Sequence, residues 1–191
     1  MIINQKLATR HRGFTLIETF VGITVLTIAV IGPLSLLAKA IADGNFAKNQ
    51  VTAFYLAQEA AELVISKRND NLLNGQDWLS DLRGDCVGSN NYCKIWIDNA
   101  NSIITSSCSV GDDDCSQLFQ NEFSLYTHSD GVSNSPTPFF RILNISDNTT
   151  PSGGKGATIN VKVKWRGPGN LSKTVEIASF ITDTSIIPTS E

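Results

Sequence analysis

Gly13-Phe14-Thr15-Leu16-Ile17-Glu18-Thr19-Phe20 leads into the run that decides the fold, Thr19 to Ala38, 20 residues without a charged side chain. At about 1.5 Å per helical residue, such a run spans about 30 Å, the thickness of the hydrocarbon core of a bilayer. Residues 1–13 hold Lys6, Arg10 and Arg12 and no acid, while the other 178 residues hold 12 basic and 18 acidic side chains. Basic residues ahead of an apolar run keep the N-terminus cytoplasmic, so the remainder is expected on the far side of the membrane. The formal charge of −3 is therefore a leader at +3 joined to a remainder at −6. An acidic remainder argues against a nucleic-acid footprint, which is basic. A hydrophobic share of 41% excludes a disordered chain, and 14 Gly with 6 Pro in 191 residues exclude a collagen-like one.

Three readings compete for the N-terminus. A secretory signal peptide needs a small-residue cleavage site, which Ala38-Lys39-Ala40 offers, but the apolar run exceeds the roughly 7–15 residues usual for such peptides. A plain anchor needs no particular sequence. The third reading turns on Glu18, an ionisable residue amid apolar neighbours. Such a residue at a membrane segment costs roughly 2.5 kcal/mol or more, and so calls for a partner and a role, unless it only snorkels to the interface.

Gly13-Phe14-Thr15-Leu16-Ile17-Glu18, behind a short basic leader and ahead of an apolar helix, resembles the processing motif of type IV prepilins and type II secretion pseudopilins. The resemblance implies cleavage after Gly13 by an inner-membrane prepilin peptidase and N-methylation of the new Phe14 amine. The chemistry is coherent. An α-amino group has a reference pKa near 7.7–8.0, so the Phe14 ammonium is largely charged at neutral pH. Glu18 lies one helical turn further on and, among staggered helices, faces the Phe14 ammonium of a neighbouring subunit. That pairing satisfies two charges in an apolar bundle and sets register.

Beyond the apolar run, Ala47, Val51, Phe54, Gln58, Ala61 and Ile65 recur in steps of 4, 3, 4, 3 and 4, one face of a helix. One helix is expected from about Phe14 to about Lys67, with this second half laid on an exported head through that face. Gly32 and Pro33 mark a helix kink, because Pro lacks a donor and Gly lowers helix propensity. It is either a bend or local unwinding used in a filament, or a simple kink in a membrane helix. Tyr55-Leu56-Ala57-Gln58-Glu59-Ala60-Ala61-Glu62 and Lys67-Arg68-Asn69 resemble the minor-pilin branch known as type IV pilus modification protein, related to the I-type minor pseudopilin of type II secretion.

From Asn69 onward, turn signals and short β runs take over. Trp78, Leu79 and Leu82 suggest a short, partly helical element. Cys93–Ile97 and Ser102–Ser106 read as a hairpin with a four-residue loop. Glu122–Thr127 and Phe140–Ile145 alternate like strands. Thr158–Trp165 and Val175–Ile181 form the clearest pair, with Ile159, Val161, Val163 and Trp165 toward the helix and Lys162 and Lys164 outward. This Val-x-Val-x-Trp strand and its return resemble the minor-pilin head. The expected fold is α+β and type IV pilin-like, a long N-terminal helix packed on a C-terminal antiparallel sheet. Its parts are a cleaved cytoplasmic leader (1–13), a transmembrane and filament-core helix (14–43), its amphipathic continuation (44–67) and an exported head (68–191).

Cys86, Cys93, Cys108 and Cys115 form two C-x6-C pairs, and an exported location is oxidising, so disulfides are expected. Local pairing (Cys86 with Cys93, Cys108 with Cys115) and nested pairing (Cys93 with Cys108, Cys86 with Cys115) are both open. The spacing is not that of a zinc knuckle, and Asp112-Asp113-Asp114 lacks the distal Glu of an EF-hand, so no metal or other cofactor is expected. His11 leaves with the leader. His128, beside a turn-like Ser129-Asp130-Gly131, reads as a surface residue, and no catalytic group is expected. Ser152–Gly156 reads as a hairpin loop rather than a phosphate cradle. The sequons at Asn144, Asn148 and Asn170 carry no default meaning.

The functional expectation is a non-enzymatic filament subunit of a type IV pilus or related pseudopilus. Its partners are prepilin peptidase, other pilin subunits, the inner-membrane assembly platform and membrane lipid, with no specific nucleic acid. A type II secretion pseudopilin or a membrane-tethered exported binding protein is the alternative. The expected location is the inner (cytoplasmic) membrane, single-pass with a cytoplasmic N-terminus, then a periplasmic or extracellular filament.

Overall fold

The computed structural model describes residues 13–98, 100–109, 111, 113–149, 155–167 and 171–183. The chain divides into two compact units, Met1–Asn45 and Phe46–Glu191. The first is, in its described part, the start of helix α1 (Leu16–Leu73). Its apolar side chains from Leu16 to Ile41 are exposed. Among the described residues, α1 is long and apolar enough to cross a membrane.

The helix outlasts the expectation by six residues, because its stop signal is Asn74-Gly75. Gly75 adopts φ 70°, its N–H donates to Leu72 O (3.1 Å), and the Gln76 N–H donates to Asn71 O (2.9 Å). These two bonds close the last carbonyls in a Schellman arrangement that only a residue tolerant of positive φ supports well. Helical structure runs unbroken through Gly32, Pro33 and Gly44.

In the second unit, residues 46–73 of α1 lie on an antiparallel sheet of seven strands: β1 (Tyr92–Ile97), β2 (Ile103–Cys108), β3 (Gln117–Gln120), β4 (Tyr126–Thr127), β5 (Ser135–Thr149), β6 (Lys155–Arg166) and β7 (Ser172–Thr182). A 3₁₀ turn, Ser80–Leu82, and a short helix α2, Asp113–Ser116, complete the described elements. β5 is the spine. One edge pairs along its length with β6, which pairs with β7. The other edge is shared, β1 meeting it at Leu143 and β3 between Phe140 and Ser135.

The C-terminal pair matches its sequence pattern. Ile159, Val161, Val163 and Trp165 are buried on the helix side, and their neighbours on β6 point away. Trp78, Leu79 and Leu82 are buried in the same core. The β1–β2 hairpin is in the expected place with Ile97 opposite Ile103, and Asp98 Oδ1 accepts from the Ala100 and Ser102 amides in its turn.

Three expectations are corrected. The helix face that meets the sheet is not Ala47–Val51–Phe54–Gln58. The buried apolar residues are Ala53, Leu56, Ala57, Ala60, Ala61, Leu63 and Val64. Small side chains let the helix approach the sheet closely, and they weigh little in a periodicity dominated by Val and Phe; only Ala61 and Ile65 of the expected stripe reach the core. Second, Glu122–Thr127 is mostly a turn. Asn121 Oδ1 accepts from the Phe123 and Leu125 amides, Ser124 takes φ 63°, and only Tyr126–Thr127 is strand. Third, His128 is buried. The Ser152–Gly154 part of the expected hairpin loop lies outside the described residues.

Candidate assembly segment and the chemistry of the head

Thr15 sits just ahead of α1, and its Oγ1 accepts from the Glu18 N–H (3.3 Å). This is one half of a Thr-x-x-Glu capping box, in which the cap hydroxyl satisfies an amide that the first turn leaves without a partner. Glu18 is placed in that first turn, where a carboxylate also complements the helix dipole. The cap is legible in the motif as Thr15 followed three residues later by Glu18, a spacing that the charge of Glu18 overshadows. Gly13, Phe14 and Glu18 are all exposed at this end, with open space around Gly13.

Along the apolar half, hydroxyls fold back on the helix. Thr19 donates to Leu16 O (2.8 Å), Thr24 to Val21 O (2.8 Å), Thr27 to Ile23 O (2.6 Å) and Ser35 to Gly32 O (2.8 Å). Each polar group is thereby satisfied within the segment, as a lipid or helix-bundle environment demands. Ser35 and Gly32 flank Pro33, the position where the backbone donor is missing.

The four cysteines form the local pairing, Cys86–Cys93 and Cys108–Cys115. The first bond is buried and ties the segment before β1 to β1 itself. The second ties the end of β2 to α2. No group of three or more His, Cys, Asp or Glu placed to hold a metal occurs among the described residues.

α2 brings Asp113 to the outer face of the sheet, where its Oδ1 pairs with Lys164 Nζ and its Oδ2 with Arg166 (3.4 Å). Lys164, through a direct hydrogen bond, holds the Asp113 carboxyl below its ordinary range. Lys162 pairs with Glu176 at 3.4 Å. Three of the β6 cations thus share two carboxylates, Lys164 and Arg166 the one of Asp113 and Lys162 that of Glu176. Two of the sequon amides are hydrogen-bonded: Asn144 Nδ2 donates to the Gly88 and Asn91 carbonyls, and Asn148 Nδ2 donates to Thr158 Oγ1. Asn170 lies outside the described residues.

Two polar residues of the head, Arg141 and His128, are buried where the sequence pattern gives no sign of it. Arg141 is 1% exposed and points from β5 toward the helix. Its guanidinium donates to Leu56 O (2.9 Å) and Glu59 Oε2 (3.1 Å) on α1, and to Ile95 O (2.8 Å) on β1. One side chain therefore joins helix, spine and hairpin, and a guanidinium can do this because its donors form a fixed fork. The alternation of Phe140–Ile145 fits either face, and the fold chose to place Arg141, Leu143 and Ile145 inward.

His128 lies edge-on to Trp96, with ring centroids 6.0 Å apart, and its Nδ1 is 3.1 Å from Gln117 O. A carbonyl only accepts, so Nδ1 carries a proton; burial, not this bond, keeps the ring neutral. Loss of hydration pushes its pKa down to about 2, with the Arg141 charge adding to the effect.

No family model, curated protein or solved structure matches the chain.

Proposed function

We propose that the chain is a minor pilin-like structural subunit. It enters the inner membrane with a cytoplasmic N-terminus, is cut after Gly13 by prepilin peptidase and is methylated on the Phe14 amine. The assembly platform then draws it into a type IV pilus or related pseudopilus. The observation that carries this reading is the sequence at the head of α1, Gly13-Phe14-Thr15-Leu16-Ile17-Glu18 before an apolar run.

The physical setting supports it. An exposed apolar helix of this length is stable only in lipid or against other helices. Cleavage removes all three leader cations and creates one new ammonium at Phe14, the complement of Glu18 on a neighbour. Glu18 is held in the first turn by the Thr15 cap, so its carboxylate leaves the helix at a defined height. The head contributes stability and a surface; the reading assigns it no catalysis, cofactor or specific nucleic acid.

The test is the mass of the mature chain purified from membranes, with sequencing of its first peptide. The expected N-terminus is Phe14 carrying one added methyl group. A chain that still begins at Met1, or begins at Ala40 or later, refutes the proposal.

A further inference from the structure

The turn that joins β3 to β4 is tightly bonded and apolar at its tip. Asn121 Oδ1 accepts from the Phe123 (3.0 Å) and Leu125 (2.9 Å) amides. The Asn121 N–H donates to Leu125 O (3.0 Å), and the Ser124 N–H to Asn121 O (2.9 Å). Gln120 Nε2 adds a bond from β3 to Ser124 O (3.0 Å). Ser124 is held at φ 63°, a conformation that a residue with a Cβ rarely adopts. This fixed loop nevertheless leaves Phe123 74% and Leu125 62% exposed. The strand register adds a third apolar residue. Gln120 pairs with both Tyr126 and Ser135, so the residues just ahead of β5 come to the same end of β3 as the loop. Val132 there is fully exposed, in a turn closed by the Asn134 N–H to Gly131 O (2.8 Å) and by Asn134 Nδ2 to Ser129 O (2.9 Å).

An ordered backbone that presents large apolar side chains to water does nothing for the stability of the fold. It suits binding, because a loop already held in one conformation loses little further freedom when a partner arrives. Clustered exposed apolar side chains mark such sites. Charge selects the partner. From Ile95 to Phe140 the chain carries six acidic residues and no Lys or Arg, and Glu122 lies within the loop itself. An anionic bilayer surface attracts basic segments and repels an acidic one. The same tip on a second copy brings like charge. A protein pocket with an apolar floor and a basic rim complements both the side chains and the charge.

We propose that the Asn121–Leu125 loop is a prebuilt binding finger for an apolar, basic-rimmed pocket on a different protein, with Phe123 and Leu125 as its anchors and Val132 beside them. The finger belongs to the head and is independent of N-terminal processing.

The experiment places benzoylphenylalanine at Phe123, at Val132, or at Lys162 on the outer sheet face as a control, in the full-length chain in cells, followed by irradiation. Tandem mass spectrometry of the adduct locates the attachment. Phe123 and Val132 are expected to join the same protein, at an apolar stretch flanked by Lys or Arg, and the Lys162 control is not. Glu122→Lys and, separately, Leu125→Asp are expected to lower the yield at Val132 several-fold, with thermal unfolding in detergent unchanged because both side chains lie on the surface. A phospholipid adduct, a product of twice the chain mass, attachment to a stretch without basic residues, a yield indifferent to Glu122→Lys, or no adduct at all each overturns the finger.

Discussion

His128 carries a pH dependence that its place in the sequence does not reveal. Unfolded, its imidazole takes up a proton near pH 6.5; folded, it does so only near pH 2. Above pH 6.5 neither state is charged and the folded state is not penalised. Below it the unfolded state alone binds the proton, so stability falls as the pH falls, by up to about 1.4 kcal/mol per unit. Urea unfolding of the full chain in detergent is expected to show about 1.6 kcal/mol lost from this group between pH 6.5 and pH 5. His128→Phe is expected to flatten that slope, and an unchanged slope counts against the burial. Glu18 belongs to the same scale but acts elsewhere. Glu18→Ala is expected to leave membrane insertion intact and to lower incorporation into sheared filaments, read by immunoblot of the sheared fraction. Equal incorporation rules out the pairing with Phe14. Glu18 was legible because a charge interrupts an apolar run. His128 was not, because the neighbouring Ser129-Asp130-Gly131 suggests solvent, while the walls of its site, Trp96 and Gln117, come from distant strands.

Helix α1 shows how an element can be found correctly and oriented wrongly. Its existence and its stop at Asn74-Gly75 were written locally, in periodicity and in a glycine able to take positive φ. The side it turns to the sheet was not. The larger residues Val51 and Phe54 advertise one face, while alanines form the other, and close packing rather than bulk selects the alanines. Ala57→Leu is therefore expected to overpack the core and cost about 1–3 kcal/mol, with Ala47→Leu changing stability by less than about 0.5 kcal/mol. Thermal unfolding of both variants in detergent checks this, and the reverse order of effects would restore the face expected from periodicity. Helix capping shows a similar gap. Thr15 and Glu18 stand in capping-box spacing within a motif that draws attention for other reasons.

Across the whole molecule, the two cysteine pairs and the branching at β5 set how the head is tied together. Cys86–Cys93 and Cys108–Cys115 are each local loops, so they stiffen the approaches to β1 and α2 rather than staple the hairpin base. Non-reducing peptide mapping is expected to find these two pairs, and a peptide joining Cys93 to Cys108 excludes them. Replacing Cys86 and Cys93 together by Ala is expected to cost about 2–3 kcal/mol by the loop-entropy relation for so short a loop, measured by urea unfolding. Arg141 is the cross-tie of the same assembly, joining α1, β5 and β1 through one guanidinium.

The amino-acid sequence by itself determined a helix long and apolar enough to cross a membrane, the polarity of the charges around it, the cleavage-like motif and the β6–β7 pair. All of these are local patterns, read from neighbours a few residues apart. Only the tertiary structure decided which helix face is covered, which side of β5 carries Arg141, how the cysteines pair and why His128 stays neutral. Each of those depends on groups brought together from distant parts of the chain, where close packing and the loss of water select one arrangement among several that the local pattern permits equally.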